Sequence, residues 1–131
     1  MFNRRKQPPI KSLIAHGSHI TGNVMFADGL RIDGAMVGDI RADEDRPSIL
    51  VVSETATITG AIYADHIIVN GHVHGPVHAH VMLELQPKAR IEGDVHYRAL
   101  EMHQGATISG SMHPYAAGEA KPTLKLAANN K

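Results

Sequence analysis

The sequence lacks several residue types whose chemistry would define a function. It has no cysteine among its 131 residues, which excludes disulfides, thiolate metal ligands and a thiol nucleophile. With no tryptophan and five other aromatic residues, any core must be mainly aliphatic. No apolar run approaches the ~20 residues of a membrane-spanning helix, and we expect no secretory signal. No G-x-x-x-x-G-K-[ST] loop is present, so we expect no bound nucleotide and no cofactor.

The formal net charge is zero, but the charges are unevenly distributed along the chain. Residues 1–11 carry four basic groups and no acid, whereas residues 12–115 carry six basic and twelve acidic groups. Residues 116–131 carry three basic groups and one acid. We therefore expect a basic N-terminal tail with a proline linker over residues 1–11, one folded domain over residues 12–115, and a disordered C-terminal tail over residues 116–131.

The strongest pattern is an internal repeat, apolar-x-Gly-x-apolar, which occurs six times. Its glycines are separated by 16, 22, 15, 18 and 17 residues, and the longest interval contains the polar stretch 43–48, which we expect to be a solvated inserted loop. The six copies are Ile20-x-Gly22-x-Val24, Met36-x-Gly38-x-Ile40, Ile58-x-Gly60-x-Ile62, Val73-x-Gly75-x-Val77, Ile91-x-Gly93-x-Val95 and Ile108-x-Gly110-x-Met112.

The alternation within each copy predicts short strands with one buried face, and a second apolar pair later in each repeat predicts another. The repeated glycine has the parity of its apolar neighbours, so we expect it to point inward. The same positions recur in the same order, which favours parallel stacking of successive turns about 4.8 Å apart. The sequence therefore predicts an all-β, single-stranded β-helix, or β-solenoid, of about six windings.

The repeat covers residues 18 to about 113, and it is flanked by tails, the first of them basic and beginning Met-Phe. In these features the sequence resembles the bactofilins, a family of bacterial polymer-forming cytoskeletal proteins. The resemblance implies a right-handed β-helix that joins end to end, without nucleotide, into non-polar filaments. It also implies a non-enzymatic role in cell shape, with a second copy of the chain and a cell-wall or envelope protein as partners. The expected location is cytoplasmic, at the inner face of the cytoplasmic membrane.

A solenoid without caps exposes an apolar cross-section at each end. Half a dozen apolar side chains at ~1.5–3 kcal/mol each would contribute roughly 10 kcal/mol, against an association cost of about 4–15 kcal/mol. Hydrogen bonds across the junction would then favour assembly, unless the tails cover the ends in a monomer. The expected polymer interface comprises Leu13, Ile14, Ile20, Val24 and Ile32 in the first winding and Ile108, Met112 and Tyr115 in the last.

The N-terminal tail joins an apolar tip, Met1 and Phe2, to the cations Arg4, Arg5 and Lys6. Each cation near anionic lipid contributes about 1 kcal/mol, so one tail should bind weakly and many tails on a filament strongly. We expect these five residues to bind the anionic inner membrane; a merely solvated tail is the alternative. Nucleic acid is not an expected partner, because no aromatic platform accompanies the basic residues.

Ten histidines are present, and the repeats place His78, His96 and His113 in one outward column, three residues after successive glycines. We call these three the histidine ladder. A solvated polar face and a pH-responsive surface are both consistent with it. A zinc ion shared by the ladder would instead indicate a trimeric left-handed β-helix enzyme, an acyltransferase or a relative of γ-class carbonic anhydrase. The unequal repeat lengths break the hexapeptide rhythm of such enzymes, so we expect no catalytic or metal-binding residue.

Overall fold

The computed structural model describes residues 8–115, and within this range the chain is all-β, with no helix. Isoleucine and valine, which favour extended backbone, supply about a third of the strand residues. The fifteen strands are β1 Ser12–Ile14, β2 His19–Thr21, β3 Val24–Phe26, β4 Gly29–Ile32, β5 Ala35–Val37, β6 Ile40–Ala42, β7 Ile49–Val52, β8 Thr57–Thr59, β9 Ile62–Val69, β10 His72–His74, β11 Val77–Leu85, β12 Arg90–Glu92, β13 Val95–Met102, β14 Thr107–Ser109 and β15 Met112–Pro114.

These strands form three parallel faces, and each of six windings contributes one strand segment to each face. Face 1 contains β1, β4, β7 and the ends of β9, β11 and β13. Face 2 contains β2, β5, β8, β10, β12 and β14. Face 3 contains β3, β6, the starts of β9, β11 and β13, and β15. The predicted parallel β-solenoid of about six windings is confirmed, while its right-handed sense stays a prediction.

The core is built from inward columns in which apolar residues of successive windings lie in register. On face 2 the inward residues of the four middle windings are at most 1% exposed, so each removes nearly all of its apolar surface from water. Burial of this kind stabilises the fold by about 1.5–3 kcal/mol per side chain. The column consists of Ile20, Met36, Ile58, Val73, Ile91 and Ile108, as the repeat predicted.

The repeated glycines form one corner of the solenoid, and they do not point inward as expected. All six have a positive φ, between 125° and 157°, which side chains rarely tolerate. A Cβ on Gly38 would collide with the carbonyl oxygen of Gly22, and the next glycines repeat this contact, so their missing side chains would point along the solenoid axis. The windings can approach this closely because each of these later glycines has no side chain to collide with the backbone of the glycine before it.

The inserted loop 43–48 connects β6 to β7, and most of it is exposed, as expected. Its last residue, Ser48, is 2% exposed, and its hydroxyl accepts a hydrogen bond of 3.0 Å from the backbone N–H of Asp65. Arg46 lies 3.9 Å from carboxylate oxygens of both Asp28 and Asp43. The loop is therefore anchored at its end to the neighbouring winding.

Candidate functional site: two open edges and a stacked ladder

The first edge of the solenoid consists of β1, β2 and β3. In the part of the chain that the structure describes, each of these strands pairs with a neighbouring strand on one side only. Among residues 8–115, no winding comes before these strands, so none covers their inward side chains from that end. Ile14 and Val24 are half-buried against the core, and Ile20 is 36% exposed. The first edge thus combines apolar side chains with backbone groups that have no strand partner on one side in the described part of the chain.

Two residues expected at the first edge lie elsewhere. Ile32 is fully buried because β1 pairs in register with β4 and places Ile14 beside it. The expectation that Ile32 is exposed in the first winding is wrong, because it belongs to the second. Leu13 is 58% exposed, but it alternates with Ile14 and lies in register with Arg31 on the outer surface of face 1. Leu13 therefore belongs to the side wall and not to the apolar cross-section.

The last edge consists of the end of β13 together with β14 and β15. Ile108 is half-buried and Met112 is 45% exposed, which agrees with their expected position at an open end. Met102, which the sequence analysis did not assign to the interface, is 44% exposed in the same column as the fully buried Leu85. The repeated apolar pair of which Met102 is the last member was the signal that could have identified it.

Tyr115 follows β15 and packs back along the solenoid. Its backbone N–H donates a 2.7 Å hydrogen bond to the carbonyl oxygen of Tyr97, and its ring lies 6.3 Å from the ring of His96 and 6.4 Å from that of His80. The side chain therefore contacts the side of the last two windings instead of extending over the end. This position makes Tyr115 a neighbour of the last edge rather than its centre.

The expected membrane-binding residues, Met1, Phe2, Arg4, Arg5 and Lys6, lie outside the described residues. Within residues 8–115 no helix is long and apolar enough to cross a membrane. Lys11, the cation nearest to this segment in the described range, forms a 2.8 Å ion pair with Asp28. Lys11 is therefore engaged with the solenoid.

His78, His96 and His113 occupy one outward column of face 3, as the repeat predicted. Their rings stack with centroids 4.4 and 4.6 Å apart. The column continues with Tyr63, stacked 4.5 Å from His78, and with the guanidinium of Arg41, 4.0 Å from the centroid of Tyr63. We call these five residues the stacked ladder. Sequence analysis missed its first two members, although both also lie three residues after a repeat glycine.

Burial and neighbouring positive charge oppose protonation within the stacked ladder. Burial lowers the pKa of His78 to about 4, and the charges of His96, His80 and Arg41 contribute further. Burial also lowers the pKa of His96. The charge of His113 lowers it further, and the charge of Asp94 raises it. His78 therefore stays neutral in mild acid, so a pH-responsive surface on this face would not depend on this residue.

The stacking also decides whether the histidine ladder could share a metal ion. Imidazole nitrogens bind metals through lone pairs that lie in the ring plane. The planes of His78 and His96 are within 7° of parallel, and those of His96 and His113 within 13°. Because parallel planes direct their lone pairs side by side, these rings do not converge on one ion. The ladder thus has the geometry of a stacked surface rather than of the zinc centre that an enzyme would need.

A parallel solenoid with two open apolar edges is the architecture of a structural protein that associates through its ends. Comparison with protein-family models is consistent with this class: residues 12–113 match the bactofilin model, described as polymer-forming cytoskeletal. The match covers most of the chain, and the chain belongs to the bactofilin family, as its resemblance suggested. No curated protein and no solved structure matches it significantly.

Proposed function

We propose that this protein is a non-enzymatic scaffold that joins end to end into filaments at the cytoplasmic face of the membrane. The filaments form without nucleotide, bind anionic lipid through the N-terminal tails and position envelope or cell-shape proteins. The observation that carries this proposal is the exposure of core columns at both edges. Ile20 and Met112 are 36% and 45% exposed, whereas their column neighbours Met36 and Val95 are 1% and 0% exposed.

The edges offer hydrogen bonds as well as apolar surface. Each edge presents three strand segments of three or four residues, one from each face, whose backbone groups can pair with another chain. Each such bond contributes about 0.5–1.5 kcal/mol net, which adds to the burial of the exposed side chains. When two molecules join by their edges, the strands of one extend the ladders of the other, in parallel or antiparallel orientation, without any change of fold. An open chain of molecules follows if no ring closes.

Substitution at the last edge tests the assembly. A buried, unpaired charge at the junction is costly, so Met112→Arg and Ile108→Arg should convert filaments into short soluble species. Val81→Arg is the matched control, because Val81 is 42% exposed on β11, a strand that pairs with β9 on one side and β13 on the other. Electron microscopy and sedimentation measure assembly, and an unchanged circular dichroism spectrum shows that the fold persists. Filaments that survive both edge substitutions would contradict a junction at this edge.

Membrane binding is tested separately with full-length protein and vesicles that contain anionic phospholipid. Replacement of Arg4, Arg5 and Lys6 by Gln should abolish co-sedimentation at low salt, and added salt should weaken the binding of the unmodified chain. Lys11→Gln is the matched control, since Lys11 already pairs with Asp28. Equal binding by the triple variant and the unmodified chain would refute the role of the tail but not the assembly of the filament.

A further inference from the structure

A second group of histidines lies on face 2, away from the stacked ladder and from both edges. His72 and His74 are two residues apart on β10, so both side chains point to the outer surface. Glu92 of β12 lies in register beside His74 and points to the same surface. The intervening Val73 and its neighbour Ile91 are buried in the core and hold the two strands in place.

The ligand atoms of these three side chains converge. The Nε2 atom of His72 lies 2.8 Å from one carboxylate oxygen of Glu92, and the Nδ1 atom of His74 lies 3.4 Å from the other. The three ligand atoms all lie within 4.8 Å of one another, and the two imidazole planes are tilted by 36°. Ligand atoms around a tetrahedral zinc ion are about 3.3–3.6 Å apart, given bonds of about 2.0–2.2 Å. Small side-chain rotations would therefore suffice to bring all three onto one ion.

We propose that His72, His74 and Glu92 bind one zinc ion on the outer surface of face 2. Two imidazole nitrogens and a carboxylate are a donor set that zinc prefers, and they leave a fourth position open. That position faces solvent, because the three side chains are 30%, 42% and 50% exposed. Water or a donor from another molecule can occupy it. This site departs from the expectation, drawn from the sequence, that no residue binds metal.

The neighbouring residues favour zinc binding by His72, His74 and Glu92 over zinc binding at another cluster. The adjacent outward residues on β8 and β14 are uncharged hydroxyl side chains, and Arg90, beside His72, is the one neighbouring cation on these strands. The other convergent group in residues 8–115, formed by Glu84, Glu101 and His103, contains a single imidazole. It is therefore a poorer donor set for zinc.

Zinc binding is measured on the full chain, without a histidine tag, by competition with a chromogenic chelator. We expect one zinc ion per chain, and we expect His74→Ala and Glu92→Gln each to weaken binding at least tenfold. His103→Ala is the matched control and should leave affinity unchanged. Removal of the neighbouring cation, in Arg90→Ser, should tighten binding about two- to fivefold. Cobalt substitution should give the visible absorption of a four-coordinate ion in the unmodified chain and lose it in His74→Ala.

Two results would overturn the proposal. One is the absence of stoichiometric zinc binding by the unmodified chain. The other is zinc affinity that survives His74→Ala and Glu92→Gln but falls in His103→Ala, which would place the ion at the other cluster. The substituted side chains are all at the surface, so circular dichroism should confirm that each variant folds. Loss of zinc binding and loss of filaments are separate readouts, so this inference can fail independently of the proposed assembly.

Discussion

The central and terminal windings share one sequence pattern but differ in what their residues can do. Ile58 and Ile20 occupy the same inward column of face 2, yet Ile58 is fully buried and Ile20 is 36% exposed. Within residues 8–115, Ile58 has a winding on each side, whereas Ile20 has one on a single side. The role of a repeat residue is thus decided by its place in the stack: central residues hold the fold together, and terminal ones form the surface available for assembly.

The largest expected difference between the two regions is at the glycine corner. Gly60→Ala should destabilise the fold by more than about 4 kcal/mol, because its methyl group would collide with the backbone of Gly38 in addition to straining a φ of 149°. Gly22→Ala meets no atom within 4 Å, so strain alone, about 1–3 kcal/mol, should remain. Urea unfolding measures both. Equal losses would show that contact between windings at this corner contributes nothing.

The inward column supplies the next comparison. Ile58→Ala removes a fully buried side chain and should cost about 2–5 kcal/mol in unfolding free energy. Ile20→Ala should cost about 1 kcal/mol or less in the dispersed chain, since part of its side chain is already in water. For assembly we expect the reverse order. Relative to the unfolding free energy that each variant loses, Ile20→Ala should reduce the sedimented fraction more than Ile58→Ala does. If Ile20→Ala assembled as well as the unmodified chain, Ile20 would have no part in the junction.

A smaller effect concerns acid. The pKa of His78 is lowered to about 4 in the fold, so the unfolded chain binds the proton more readily below about pH 6.5. Above pH 6.5, His78 is neutral in both the folded and the unfolded chain and does not lower the free energy of unfolding. Its effect lowers that free energy as the pH drops toward 4. His78→Asn should flatten that slope, whereas His113→Asn, in the terminal winding, should leave most of it. Urea unfolding across this pH range measures the slopes; an unchanged slope in His78→Asn would contradict the assignment.

The smallest effect lies in the second winding, where the stacked ladder begins. Arg41→Gln removes the cation from the face of Tyr63 and should lower stability by about 0.5–1 kcal/mol. A double-mutant cycle with Tyr63→Leu isolates the interaction between the two side chains. Arg41→Gln should also make protonation of His78 easier, because the Arg41 charge contributes to its lowered pKa. A coupling energy of zero would show that the contact between Arg41 and Tyr63 is not stabilising.

Much of the candidate site could be predicted from the sequence because its columns follow from parity and repeat offset. The offset of three after each glycine correctly aligned His78, His96 and His113. The same offset would have included Arg41 and Tyr63, but a search restricted to histidine overlooked them. Ile32 was misplaced for a different reason, since β1 carries no repeat glycine and its pairing over β4 is a long-range contact.

The sequence by itself determined that this chain forms short strands, which side chains face the core, and that equivalent positions stack. These properties follow from alternation and repetition, which are local in the chain. Only the tertiary structure decided where the glycine corner points, that Ile32 belongs to the second winding, and how the histidines are oriented. Histidines form the stack of the histidine ladder, and two other histidines, His72 and His74, converge on Glu92. Their difference arises from register and side-chain rotation between neighbouring windings, which no local pattern specifies.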